Sequence, residues 1–544
     1  MSETSWRRGP LAAIAGAAAL LGTVSAVHYA SLGLTLSHYD ARGHLVVARR
    51  IADSLTPGWQ QIGAVWLPLP HLLNALPVQV DVLYRTGASA VAISVLSFAI
   101  ATAALAWIVR RLTGAWSAGL AAVSVFALNP NMLYLQSTPM TEPLLIALTV
   151  VSIALLLAYC DAVVDVGAGT TGSINTRTLA PSTTLVGWTC ALACLTRYEA
   201  WPVTIGGLAA AVWVLWRRGV SPGNAVRATA AVAVYPVAAI VAFTIFSKVV
   251  VGAWFANGFF VPENPAQGHP LTSVNLIVWG LRELSGRWTL AIAVLGGTIL
   301  AVRALVSARH AAAILPLALL GTAAVPWSAF VDGHPYRIRY MIPLIAVQAL
   351  CAGVAAGALK RWTTWASIAV LAVAALELHP LAAGSPMVSE AQWDRPNIVA
   401  RDAVTACLTS AYAGESVMAS MGSLGHYMQD LSRAGFSIRD FLHEGNGDIW
   451  LNALNSPRPY AGWILIEEKA EGGDMLAKIV RERPAFLTGY RERVKRPASR
   501  SIAASRKLPG VESGSRSAGC EADMRSPRSR HRAQAQKRIL KVAR

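Results

Sequence analysis

The feature that most limits what this chain can fold into is a succession of long apolar runs, three of them closed by a pair of basic residues. Gly87–Val109 ends at Arg110-Arg111, the run closing at Trp216 ends at Arg217-Arg218, and Met341–Leu359 ends at Lys360-Arg361. About 20 apolar residues suffice to cross a bilayer as a helix. Only 14% of the 544 residues are charged, against about 25% in an ordinary soluble domain. One water-soluble core is excluded. The expected class is an α-helical polytopic membrane protein of about eleven transmembrane helices, whose first partner is the lipid bilayer.

The basic residues also assign sides. Trp6-Arg7-Arg8 before the first run, Pro10–Leu32, reads as an uncleaved signal-anchor with a cytoplasmic N-terminus. The remaining spans are Gly87–Val109, Trp116–Leu128, a fourth to Tyr159, a fifth from Leu185, a sixth to Trp216, Ala228–Val251, Trp288–Leu305, a ninth to Trp327, Met341–Leu359 and Trp365–Leu376. That order puts the C-terminal part outside the cytoplasm, in a cell (inner or plasma) membrane. Asp161–Thr183 reads as a mobile cytoplasmic linker, and His44–Leu55 as a short amphipathic helix lying at the interface. Residues 1–380 thus form the membrane domain.

After Pro386 the pattern changes. Helical stretches at Trp393–Tyr412, Leu424–Leu431 and Met475–Arg483 alternate with apolar strands at Ser416–Ser420 and Trp463–Glu467. This predicts a small extracytoplasmic α/β domain over 387–490. Residues 491–544 are basic without an apolar period and are expected to be disordered. Sixteen Lys and Arg against four acids fall after Tyr490, two-thirds of the net charge of +18. With the short basic loops explained by sidedness, the charge implies no nucleic-acid partner. The six cysteines lie mostly in apolar runs and predict no disulfide framework.

The polar residues at the outer ends of the spans are a mixed set. Acids are Asp40, Glu142, Glu199, Glu263 and Asp332; bases are Arg42, Arg197, Arg337 and Arg339, with His44, His71 and His334. Each has a plain structural reading. Asp40 could cap the interfacial helix, and Glu142 could answer a helix dipole. Arg197 and Glu199 could be a buried pair, and His71 a packed core histidine. Against those readings, Arg337 and Arg339 on the outer side defy the positive-inside rule. Ionisable groups where spans meet water usually have work. A carboxylate can take a proton from a hydroxyl, and arginine can hold a phosphate by two parallel bonds.

At these positions the chain resembles the GT-C superfamily of integral-membrane glycosyltransferases, especially bacterial relatives of protein O-mannosyltransferases and lipid A aminoarabinose transferases. Asp40 in HYDARGH matches that family's acid after the first span. Glu142 in TPMTEP matches its second acid, between the third and fourth. Trp66–His71, WLPLPH, is similar to a proline-rich motif but lacks its lysine. Thr196–Glu199, TRYE, is similar to an Arg-Pro-Glu step, and Arg339-Tyr340 matches a late Arg-Tyr pair. The resemblance implies a GT-C-like fold and a sugar donor on polyprenyl phosphate. Asp40 would be the general base of an inverting transfer, and Glu142 would orient the acceptor or help hold a divalent metal. Arg42, His44, His71, Arg197, Glu199, Arg337, Arg339 and Tyr340 would bind substrate. The acceptor would be a glycan, a lipid or a protein, and a divalent cation is the one cofactor the resemblance leaves open. A rival class is a transporter or flippase of lipid-linked or anionic substrates, but that predicts charges near the membrane middle and repeated halves. The sequence shows neither.

Overall fold

The computed structural model describes residues 8–167, 181–255, 264–467, 474–495 and 501–506. A helix stands at each of the eleven predicted spans. Eight of these are long and apolar enough to cross a membrane, among them Gly9–Ser31, Ala88–Thr113, Glu142–Asp165 and Ile338–Gly357. Two others, Trp116–Ala127 and Thr183–Cys194, have 12 residues each, about 18 Å at 1.5 Å per residue. The last, Thr363–Glu377, has 15. Within hydrocarbon a helix is the economical backbone, because it satisfies its own amides.

The axis of the bundle is Pro343–Gly357, every residue of which is buried. Its neighbours approach closely because small residues face one another. A Cβ on Gly296 would meet the Cys351 carbonyl at 1.8 Å, and one on Gly353 would meet the Ala118 carbonyl at 2.7 Å. Without a hydrophobic drive between spans, such close packing is what holds them. Ile338–Met341, at the outer end of this axis, carries Arg339. Asn129–Pro143, between the third and fourth spans, is buried along its whole length. Asn129 caps the short helix Pro130–Leu135, and both Asn129 and Asn131 donate to the Leu284 carbonyl.

Three helices open the polar part of the chain: α1 (Arg8–Ser31), α2 (Tyr39–Arg50) and α3 (Leu69–Asn74). The sequence reading put the second of these at His44–Leu55, lying on the membrane surface. It starts five residues earlier, because the His38 ring accepts the Asp40 N–H and caps it. Nor is its surface free to face lipid. Nine of its twelve residues are buried, including Arg49 and Arg50, because the outer domain sits on it. Tyr39 Oη donates to the Met421 carbonyl at 2.9 Å. Gly425 on helix Met421–Arg433 has no room for a Cβ, which would meet the Tyr39 ring at 2.5 Å.

The outer domain is a five-stranded sheet with helices. Its strands are β1 (Val417–Ala419), β2 (Phe441–Leu442), β3 (Trp463–Glu467), β4 (Tyr490–Lys495) and β5 (Ser501–Arg506), in the order β2-β1-β3-β5-β4. β1 runs parallel to β2 and β3, whereas β5 is antiparallel to β3 and β4. Here the expected disordered tail from 491 is corrected. Residues 491–495 and 501–506 are strands, because the free edge of β3 supplies backbone partners that need no apolar side-chain period. The linker expected at Asp161–Thr183 is corrected at its start, where residues 161–167 continue the helix Glu142–Gly167; residues 168–180, Glu263 and the tail from 507 lie outside the described residues.

Candidate functional site

The cap that starts α2 also aims it. Asp40 falls in the first turn and His44 one turn later, so both face the bundle, while Arg42 faces away. Asp40 Oδ2 lies 2.6 Å from Arg339 Nη2, with both side chains largely buried. Burial pushes the Asp40 carboxyl up. The charge of Arg339, with smaller contributions from His38, His44 and Arg197, outweighs it and holds the carboxyl down at about 2. Arg339 Nη1 also lies against the His38 ring, 3.0 Å from Nε2, and its guanidinium sits 5.2 Å from the Tyr340 ring centroid.

A second arginine lies beside the first. Arg197 Nη1 is 3.1 Å from Glu142 Oε1, and its Nη2 is 2.8 Å from Glu199 Oε1. Nη1 also donates to Thr141 Oγ1. Glu142 is fully buried, and neither of its oxygens accepts a hydrogen bond of good geometry among the described residues. Arg197 bears on Asp40 electrostatically, and Arg339 on Arg197. Asp40, Glu142, Arg197, Glu199, Arg339 and Tyr340, drawn from four separate stretches, therefore share one locality.

His44 and His71 pair directly, Nδ1 to Nε2, at 3.0 Å. Trp66 stacks on His44 with ring centroids 4.3 Å apart. Both imidazoles are held below the ordinary histidine range: His44 by burial and then by His71, and His71, at about 3, by burial and then by Arg50. His44 lines a cavity of about 20 Å³ with Asn74, Ser94, Met140 and Thr141.

Two expected binders stand elsewhere. Arg337 is at the edge, 5.5 Å from the Trp393 ring centroid. Arg42 turns to the outer domain, with Nη2 3.1 Å from His426 Nδ1 and 3.6 Å from Asp394 Oδ2. There Arg401 spans Asp394 and Glu467. Asp394, His426 and Glu467 are spaced to hold a metal ion, but Arg401 and Arg42 already neutralise them. At Asp40 and Glu142 the same objection holds, since each carboxylate carries an arginine. Neither set fits a divalent cation.

The sequence reading missed His38 and Glu390. Glu390 Oε2 accepts the Ile338 N–H at 2.7 Å, and its Oε1 is 3.7 Å from His38 Nε2. His38 was legible as the polar neighbour of Asp40 in SHYD. Glu390 carried no local signal, being about 50 residues from its partner.

No family model matches the chain, and no curated protein matches it. Among solved structures, ArnT from Cupriavidus metallidurans bound to undecaprenyl phosphate aligns with a TM-score of 0.54 at 12% identity, over 93% of this chain and 100% of that chain. The same protein in the apo state aligns with a TM-score of 0.53 at 14% identity, over 92% and 98%. ArnT is a lipid A aminoarabinose transferase of the GT-C fold. With its apolar helices and this likeness over nearly its whole length, the chain is a multi-pass membrane protein of the GT-C fold.

Proposed function

We propose that this chain is a membrane glycosyltransferase that moves a sugar from polyprenyl phosphate to an acceptor hydroxyl on the extracytoplasmic side, with inversion. The observation that carries the reading is the contact of Asp40 with Arg339 at the outer end of the central helix of a GT-C fold. A carboxylate beside an arginine supports this reading, because the transfer needs a base next to a cation for the phosphate. The undecaprenyl phosphate on the ArnT of similar fold supports the donor class.

In this mechanism the donor phosphate draws Arg339 off Asp40. The carboxylate then takes the acceptor's proton while the acceptor oxygen attacks the anomeric carbon. The bond from that carbon to the phosphate oxygen breaks, and its electron pair leaves on polyprenyl phosphate, neutralised by Arg339. Arg197 adds positive charge, and Glu142 with Glu199 fixes its position. Glu142, buried with both oxygens short of donors, orients the acceptor. Tyr340 flanks the donor side, and Arg337 stays at the edge against Trp393. Arg42 is removed from this set, because it docks the outer domain. No step uses a metal ion. The N-terminus is cytoplasmic and the outer domain extracytoplasmic.

The test is sugar transfer from undecaprenyl-phosphate donors in membranes holding equal amounts of wild type, Asp40→Asn and Arg339→Lys. Transfer by the wild type, abolished by Asp40→Asn and with the donor KM raised by Arg339→Lys, is expected. Full transfer by Asp40→Asn would move the base elsewhere.

A further inference from the structure

Within the transferase reading just proposed, on which this inference rests, Asp40 must shed the proton it takes before the next turnover, because its resting partner is Arg339 at 2.6 Å. A neighbour with an open lone pair can receive it. The imidazoles whose charge couples to Asp40 are His38, His44 and His334.

His38 is already engaged at both nitrogens. Its Nδ1 accepts the Asp40 N–H, and its Nε2 lies 3.0 Å from Arg339 Nη1, which can only donate, and 3.7 Å from Glu390 Oε1. His334 is only half-buried, so water can serve its ring, and it is tied to its own loop by the Pro335 carbonyl, to which Nδ1 donates, and by the Tyr340 ring.

His44 differs. Its tautomer follows from the chain of bonds behind it. The Leu67 carbonyl can only accept, so His71 Nδ1 carries the proton in their 3.1 Å contact. His71 Nε2 then accepts, so His44 Nδ1 carries a proton as well. His44 Nε2 is left as a bare acceptor. The residue is 6% exposed, and this nitrogen has no hydrogen-bond partner among the described residues. A buried acceptor without a partner costs stability, and it sits one helical turn from the base of the proposed reaction. The stack on Trp66 and the bond to His71 fix the ring plane.

We propose that His44 is the proton-accepting residue behind Asp40, and that His71 is its positioning residue. The acceptor O–H breaks to give its proton to the Asp40 carboxylate. Asp40 passes it to His44 Nε2 and is an anion again. The imidazolium shares its charge through Nδ1–H with His71 Nε2 and releases one proton to water after the glycosylated acceptor leaves. Bond changes at the sugar are those given above, and the proton count closes with no co-reactant. The groups that face His44 are His71, Asp40, Arg197 and Arg339. The two arginines and His71 keep it neutral at rest, and Asp40 favours the cation.

The experiment measures transfer from an undecaprenyl-phosphate sugar against pH, with full-length protein in nanodiscs. His44→Gln should lower kcat about 100-fold with the donor KM within about twofold. It should also remove the fall in kcat/KM on the acid side, where protonation of His44 disarms the wild type. His71→Leu should lower kcat and move that limb, and His71→Gln, whose amide oxygen can still accept from His44, should restore most of both. Transfer abolished by Asp40→Asn but unchanged in rate and acid limb by His44→Gln would overturn this inference and leave the transferase reading standing. No transfer by the wild type would overturn both. If His44→Gln does not fold, histidine 15N NMR of the wild type decides: His44 must show a bare Nε2 near pH 7, and a protonated Nε2 there would overturn the inference.

Discussion

Helix α2 carries a charged cluster on each side, and the two differ in what their charges face. On the bundle side, Asp40 meets Arg339 next to a cavity, a bare imidazole nitrogen and a buried glutamate short of donors. On the outer side, Arg401 reaches Asp394 with one arm and Glu467 with the other, and Arg42 closes the set. The first cluster holds charges that could be traded for a substrate's. The second balances two acids with two arginines across a domain contact. Burial and ion pairing are common to both, so neither property alone marks an active site. Both also hold buried polar atoms without a hydrogen-bond partner among the described residues, His44 Nε2 and the Glu142 oxygens in the first and His426 Nε2, Arg42 Nε and Glu467 Oε2 in the second. What separates them is place: the first gathers residues of four stretches at the ends of the spans, and the second lies between α2 and the outer domain.

The comparison can be broken by mutation. The largest expected effect is on Asp40→Asn, which should reduce transfer by about 1,000-fold or more, while thermal unfolding shows the protein still folded. Second is Arg401→Met. It strands two buried carboxylates and should cost about 3–5 kcal/mol of stability, read as early protease cleavage of the outer domain. Arg42→Met should cost less, about 1–2 kcal/mol, and leave transfer within a few fold if Arg42 only docks. A loss of transfer equal to that of Asp40→Asn would return it to the site.

A pH titration separates the same two clusters. The Asp394 carboxyl is lowered: burial raises it, but its bonds to His426 and Arg401 outweigh that. A carboxyl lower in the folded than in the unfolded state adds stability that is present above its unfolded pKa of about 3.9 and is lost as pH falls through the folded value. The docking should therefore hold from pH 8 to pH 5 and weaken only below about pH 4, by protease sensitivity. Transfer should fall on the acid side as His44 gains its proton, and His44→Gln should remove that fall while leaving the docking curve in place. The smallest expected effect is that of a chelator, which should leave transfer unchanged. Loss of transfer on chelation, restored by a divalent cation, would put a metal at these carboxylates despite their arginines.

Much of this was legible in the residues. Asp40, Glu142, Arg197, Glu199 and Arg339 stood out because charge is expensive at the end of an apolar run, and the structure brings all five together. Arg42 stood out for the same reason and belongs to the other cluster. Two residues along a helix is about 200° around it, and the sequence did not show where α2 begins. The His38 cap decided that, and with it which side chains share a face. Glu390 is a partner of His38 only through a fold that returns the chain to the first loop.

The sequence by itself determined that the chain lives in a bilayer, where its helices run, and that its polar work sits at their outer ends. Hydropathy and the placement of basic pairs are local properties, and a bilayer reads them one segment at a time. Only the tertiary structure decided that α2 lies beneath the outer domain and not on the lipid. It alone showed that the tail's first residues complete a sheet, and that His44 keeps a free nitrogen beside Asp40. These depend on which surfaces meet, and a contact between residues hundreds of positions apart leaves no period or motif in either partner.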